Sequence, residues 1–137
     1  MIKGIGVDII AVDRIRNTIG RYGEHFLRRV FTKRERAYAN KHRDPALRLA
    51  VRFAAKEAVA KALGEGIGKH LGWHDIEVLR SHQGGPRAFL SQKAATYFDD
   101  PRIHLSLSHE KQYAVAYAVV EKTQKRRKRL WPWQKKG

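Results

Sequence analysis

Between Asp44 and Gly64 the chain marks out one long helix with a signal at each end, and the rest of the fold has to be arranged around it. Asp44-Pro45 opens it. The aspartate caps free N–H groups of the first turn, and proline at the first helical position lacks only an N–H that would have no partner there. An Ala/Leu-rich stretch carries the helix to Leu63, and Gly64 supplies the left-handed stop. Ahead of it, residues 2–10 alternate: Ile5, Val7 and Ile9 fall on one side and Gly4, Gly6 and Asp8 on the other, the period of a strand. The two glycines leave their side bare, so another backbone or a ligand can come close beside Asp8. Val12, Ile15, Ile19, Tyr22, Phe26 and Val30 then step by threes and fours, a helical period that Gly20 and Gly23 should break in two. Thr32 with Glu35 three residues on forms a capping box for a short helix.

Beyond the glycine-rich loop Gly64–Gly68, strands are expected over 75–80, 87–90 and 103–108, with a short helix over 93–98. The last strand, 113–120, is apolar or aromatic almost throughout and should be central. An N-terminal strand, three or four helices including one long helix, then antiparallel strands: this order is that of an α+β fold with helices packed on one face of a sheet. A domain over 1–120 is followed by a basic tail, 121–137.

Charge narrows the function. Lys and Arg number 29 against 13 Asp and Glu, a net +16. Residues 14–43 hold ten basic and two acidic side chains, and residues 121–137 hold eight and one, so the remaining body is nearly neutral. Such a surface implies a polyanionic partner. The tail reads first as a solvated or loosely docked extension, with contact to anionic lipid or nucleic acid as its second reading. The absence of cysteine from the sequence excludes disulfides, Cys-ligated zinc, iron–sulfur clusters and thiol nucleophiles. No apolar run reaches the roughly 18 residues of a membrane span, and Met1-Ile2-Lys3-Gly4 is not the start of a signal peptide, so a cytoplasmic location is expected.

The long helix also carries the chemistry. On a helical wheel Ala46, Ala50, Phe53, Ala54 and Lys61 share the side of Glu57, while Arg48 and Arg52 lie across from it, facing solvent or another chain. Glu57 therefore projects from a small, apolar face that should be buried, and a buried carboxylate needs a cation. Lys61, one turn on, can supply it as an i,i+4 ion pair. Asp8 poses the same question on its glycine-flanked strand. Two such acids in a basic protein without cysteine point to a shared oxygen-ligated Mg²⁺, which completes its shell with water and substrate phosphates.

Other motifs fail. Gly64–Lys69 is one residue short of a phosphate-binding P-loop, with His70 where Ser or Thr belongs. Gly72 between His70 and His74 spoils a helical zinc pair, and no G-x-S-x-G elbow accompanies Ser106, Ser108 and His109. His109 at a strand end is a candidate phosphate ligand or base.

Three segments together carry a resemblance: Gly4-Ile5-Gly6-Val7-Asp8-Ile9, Arg52-Phe53-Ala54-Ala55-Lys56-Glu57-Ala58-Val59-Ala60-Lys61-Ala62, and Leu105-Ser106-Leu107-Ser108-His109. In order and spacing they resemble the holo-[acyl-carrier-protein] synthases, the small bacterial type of 4′-phosphopantetheinyl transferase, over residues 2–120. The resemblance implies transfer of phosphopantetheine from coenzyme A to a serine of apo acyl carrier protein in fatty acid biosynthesis, releasing adenosine 3′,5′-bisphosphate. It implies Mg²⁺ on Asp8 and Glu57, Lys61 at the phosphate or serine, and coenzyme contacts from Arg52, Gly64, Gly66, Ser108 and His109. It also implies a homotrimer with each active site between two chains. The base for the serine stays open among a metal-bound water, Glu57 and His109. Acyl carrier proteins are acidic, so the segment with Arg14, Arg21 and Arg28 is a natural docking face. The rival reading is a small nucleic-acid-binding module with +16 as its phosphate footprint.

Overall fold

A computed structural model describes residues 1–123. The basic tail beyond Thr123 lies outside the described residues. β1 (Ile2–Ala11) leads into four helices, α1 (Val12–Tyr22), α2 (Glu24–Val30), α3 (Lys33–Asn40) and α4 (Pro45–Leu63). A 3-10 turn (Trp73–Asp75) precedes β2 (Ile76–Arg80) and β3 (Pro86–Leu90); then come α5 (Gln92–Tyr97), β4 (Arg102–His109) and β5 (Tyr113–Glu121). The α+β order is the expected one. Gly23, at φ 57°, separates α1 from α2, but Gly20 stays inside α1 and does not break it. A single helical glycine costs only about 1 kcal/mol, and burial of the stripe with Val12 and Ile15 outweighs that.

β1, β5 and β4 form a three-stranded antiparallel sheet with β5 in the centre, as its apolar sequence demands. The other two strands form a separate hairpin, β2–β3. α4 lies across the inner face of the three-stranded sheet. Both ends of this helix behave as the sequence reads: the Asp44 carboxylate accepts from the Leu47 N–H, and Gly64 closes the helix at φ 90°.

The bare side of β1 admits the backbone of α4. A Cβ built on Gly4 would stand 1.9 Å from the carbonyl oxygen of Ala62, and one on Gly6 would stand 2.0 Å from that of Ala58. Ala114, Ala116 and Ala118 keep the neighbouring strand equally thin. No rotamer relieves a clash between a Cβ and a backbone carbonyl, so the helix must lift from the sheet. Gly6→Ala is therefore expected to destabilise the protein by about 3 kcal/mol, the upper part of the usual range for an overpacked core. Thermal unfolding measures it, and a melting temperature equal to wild type would contradict the contact.

The side of α4 away from the sheet is not free either. Leu49, Val51, Ala55, Val59 and Ala60 are buried, covered by α1, α3 and β2. Here Lys56 and Glu35 are both fully buried and paired at 2.7 Å. Lys56 Nζ also donates to the carbonyls of Trp73 and Ile76. Glu35 Oε1 accepts the Thr32 N–H of the capping box, and Oε2 accepts the Val78 N–H. One pair thus ties α3, α4, the 3-10 turn and β2.

The outer sheet face stays apolar and exposed: Ile5, Val7 and Ile9 of β1 stand beside Tyr113 and Tyr117 of β5, with Val7 opposite Tyr117. Among the described residues no helix is long and apolar enough to cross a membrane.

Candidate active site

The close contact between β1 and α4 brings three of the expected residues together. Asp8 sits on the inner side of β1 beyond the two glycines, and Glu57 and Lys61 stand one turn apart on α4. Lys61 does not pair with Glu57 as the helical spacing suggests. Its Nζ donates instead to Asp8 Oδ1 at 3.0 Å and to the Val7 carbonyl at 3.2 Å. The glycine-lined contact puts a carboxylate and a backbone carbonyl of β1 within its reach.

Glu57 is left half-buried, with no hydrogen bond or ion pair among the described residues. Burial pushes its carboxyl above the usual glutamate range, and the charge of Asp8 pushes it further; Lys61 and Arg14 partly oppose this. At short range the cluster holds two carboxylates and the Lys61 ammonium, with the charge of Arg14 also acting on Glu57. Among the described residues no three His, Cys, Asp or Glu gather as a metal cage. Two carboxylate oxygens with room for water and phosphate suit a hard cation such as Mg²⁺ and do not suit zinc.

A second cluster occupies the other side of the molecule. A cavity of about 300 Å³ is lined by Tyr38, Arg48, Arg52, Arg80, Ser106 and His109, among others, and no carboxylate among the described residues lines it. Arg52, read from the wheel as facing solvent or another chain, is only 5% exposed. α3 folds over that side of α4, and the Arg52 guanidinium carbon lies 3.9 Å from the centre of the Tyr38 ring. Burial pulls its pKa down, foremost among the causes. His109 closes the cavity at the end of β4, whereas Ser108, exposed beside it, does not line the cavity.

The chain by itself does not bring these clusters together. Asp8 lies on β1 and His109 on β4, the two edges of the sheet, with β5 between them. Two strand spacings alone amount to about 10 Å. Gly64 and Gly66 follow the end of α4 in left-handed conformations at φ 90° and 67°, the Gly66 N–H returns to the Ala60 carbonyl, and Gly64 lines a pocket with Lys3, Tyr97 and Phe98 rather than with Asp8 or Glu57. Arg14, Arg21 and Arg28 are exposed along α1 and α2. Arg16 is not available there, because both its terminal nitrogens grip the Asp44 carboxylate at 3.0 Å. Sequence reading missed Lys56, Glu35 as its partner, and Tyr38. A lysine within an otherwise apolar stretch of α4 was the one signal for the first.

Residues 4–118 match the family model of the 4′-phosphopantetheinyl transferase superfamily. The holo-[acyl-carrier-protein] synthase of Protochlamydia amoebophila is 47% identical over 119 residues, covering 87% of this chain and 98% of that protein. The enzyme of the same name from Chlamydia muridarum is 48% identical over 120 residues, covering 88% and 95%. Among solved structures, the holo-(acyl-carrier-protein) synthase of Bacillus anthracis in complex with CoA (3′,5′-ADP) superposes with a TM-score of 0.77 at 39% identity, covering 90% of this chain and 99% of that one. The Helicobacter pylori synthase in complex with coenzyme A gives 0.78 at 35% identity, covering 85% and 99%. The chain belongs to the 4′-phosphopantetheinyl transferase superfamily, whose family model covers nearly all of its described length. Within it, the relatives align along nearly their whole length, and the grouping is with the holo-[acyl-carrier-protein] synthases.

Proposed function

We propose that this chain transfers 4′-phosphopantetheine from coenzyme A to a serine of apo acyl carrier protein, with Mg²⁺ held by Asp8 and Glu57. The observation that carries the reading is Glu57: a half-buried carboxylate, pushed up and without a partner among the described residues, beside a second carboxylate and a lysine. When bound there, the cation would offset negative charge on the pyrophosphate. The serine Oγ gives up its proton to a base and forms a bond to the phosphorus that bears pantetheine, the bond from that phosphorus to the bridging oxygen breaks, and adenosine 3′,5′-bisphosphate leaves with the electron pair. Little covalent chemistry falls to the protein in such a transfer; positioning and charge dominate. Lys61 stands where it can follow the developing charge, because its contacts to Asp8 and Val7 are half-exposed and readily exchanged. Glu57 is beside Lys61 and His109 is not, so His109 takes part only across a chain boundary.

That boundary is the homotrimer interface in this reading. Its supports are the separation of the acid cluster from the arginine-lined cavity within one protomer, and the exposed apolar sheet face of Ile5, Val7, Ile9, Tyr113 and Tyr117. A neighbour's cavity would take a coenzyme phosphate, and Gly64 and Gly66 would flank the coenzyme near Lys61. The acidic carrier accounts for the basic face of α1 and α2. The test is direct: incubate the protein with coenzyme A, Mg²⁺ and an apo carrier, then weigh the carrier. A carrier of unchanged mass would refute the proposal.

Reversing Arg14, Arg21 and Arg28 to Glu is expected to raise KM for the carrier at least tenfold while KM for coenzyme A barely moves. The salt sensitivity of the wild-type rate should shrink in the variant, since exposed charges act through screened association. Steady-state kinetics at two ionic strengths decides. An unchanged KM for the carrier would move the docking face elsewhere.

A further inference from the structure

Arg52 carries an energetic problem that its polar neighbours leave open. It is 5% exposed, and among the described residues its Nε has no hydrogen-bond partner and its Nη1 reaches only the Arg48 carbonyl at a long 3.5 Å. Glu35, the acid whose charge acts on it, is already engaged by Lys56. A guanidinium removed from water normally recovers its hydration energy from a carboxylate. Here the flat ring of Tyr38 faces it at 3.9 Å, well inside the cation–π range of about 6 Å. The ring is itself anchored. α3 is tied at its N-terminus by the capping box, and His42 packs against Tyr38 at 4.5 Å between ring centres, with its Nδ1 2.9 Å from the Tyr38 carbonyl oxygen.

The difference between a ring and a carboxylate decides what the cavity can do. A carboxylate would hold Arg52 and cancel its charge. An aromatic face holds it and leaves the charge whole; among the described residues its N–H groups reach only the Arg48 carbonyl, at a long 3.5 Å. With Arg48 and Arg80 on the same wall and no acid facing them, the cavity is built for a doubly charged phosphate rather than a weak anion. Under the function proposed above, on which this step rests, the pyrophosphate of coenzyme A goes to Asp8, Glu57 and Lys61. The 3′-phosphate is the remaining anionic group.

We infer that Tyr38 is a positioning residue for coenzyme recognition: its ring fixes the Arg52 guanidinium flat and charged at the cavity wall, and so lets the cavity distinguish coenzyme A from its 3′-dephospho form. Tyr38 acts through Arg52, not by touching the coenzyme with its hydroxyl.

The experiment measures kcat and KM for both coenzymes with the full-length protein, Mg²⁺ and an apo carrier, alongside the melting temperature of each variant. Tyr38→Leu removes the ring face and is expected to raise KM for coenzyme A about tenfold, with kcat within twofold and KM for 3′-dephospho-coenzyme A unchanged. Tyr38→Phe keeps the face and should match wild type. Arg52→Lys keeps a charge but loses the flat fork, and should show the same selective loss as Tyr38→Leu, so a poorly folding leucine variant leaves the idea testable. Equal rises for both coenzymes would mean only a loosened α3 and would overturn the inference. So would Tyr38→Phe behaving like Tyr38→Leu, which would assign the effect to the hydroxyl. If the wild type transfers nothing from coenzyme A, the underlying function fails at that control, before any variant is compared.

Discussion

Replacing Glu57 with glutamine is expected to abolish transfer, by about a thousandfold or more in kcat, while the folded protein keeps its melting temperature. The two halves have separate causes. Glu57 contributes no hydrogen bond or ion pair to the fold among the described residues, and its ionised form is disfavoured by burial and by Asp8. Removing that charge therefore relieves repulsion and costs the fold nothing, a common pattern where function and stability compete. Losing half of a two-carboxylate cation site removes several kcal/mol of charge stabilisation, and each 1.36 kcal/mol is tenfold in rate. Binding to the native state alone raises stability, so Mg²⁺ should raise the melting temperature of the wild type and leave Glu57→Gln unmoved. Asp8→Asn should lose activity equally, with a small stability loss, at most about 1 kcal/mol, because its ion pair with Lys61 is half-exposed. Full activity of either variant, or wild-type activity undiminished by a chelator, would refute the cation site.

Lys56→Met is expected to act in the opposite sense, on the fold and not directly on the chemistry. Lys56 and Glu35 are both inaccessible to water and form a closed set: three acceptors for the ammonium, three donors for the carboxylate. Taking away one partner leaves a buried carboxylate without its cation and two carbonyls without their donor, a loss of about 3–5 kcal/mol. For a chain of this size that lowers the melting temperature by roughly 10–20 °C. Adding Glu35→Gln should restore only part of the loss. Thr32 and Val78 give their N–H groups to different oxygens of Glu35, and glutamine has one oxygen to offer. Calorimetry of the single and double variants tests this, and a wild-type melting temperature for Lys56→Met would refute it.

Local rules made much of this architecture legible. Asp44, Pro45 and Gly64 delimit α4 because caps and breakers act within one turn, and the alternation of β1 separates its two faces without tertiary information. The glycine side of β1 foretold a close approach, and Asp8, Glu57 and Lys61 do meet there. What the periodicities lacked was the identity of whatever covers a face. A helical wheel shows that Arg52 points away from Glu57, but not that α3 returns to bury it under Tyr38. Nor does i,i+4 spacing reveal that Lys61 has better acceptors on a strand more than fifty residues earlier. Lys56 was hidden for the same reason: its partner comes from a capping box whose local role already explained Glu35.

The contact of Gly4 and Gly6 with the carbonyls of Ala58 and Ala62 has a consequence for tolerance in the engineering sense. Asp8 and Glu57 are mounted on two main chains that touch directly, with no side chain interposed as a spacer. Side chains repack, swap rotamers and shrink or swell by a methylene; peptide backbones in hard contact do none of these. The gauge between the two carboxylates is thereby insulated from substitutions elsewhere in the interior, and it drifts little with temperature because nothing compressible lies in the gap. A lineage of such chains is free to vary its apolar interior widely while holding that one dimension constant.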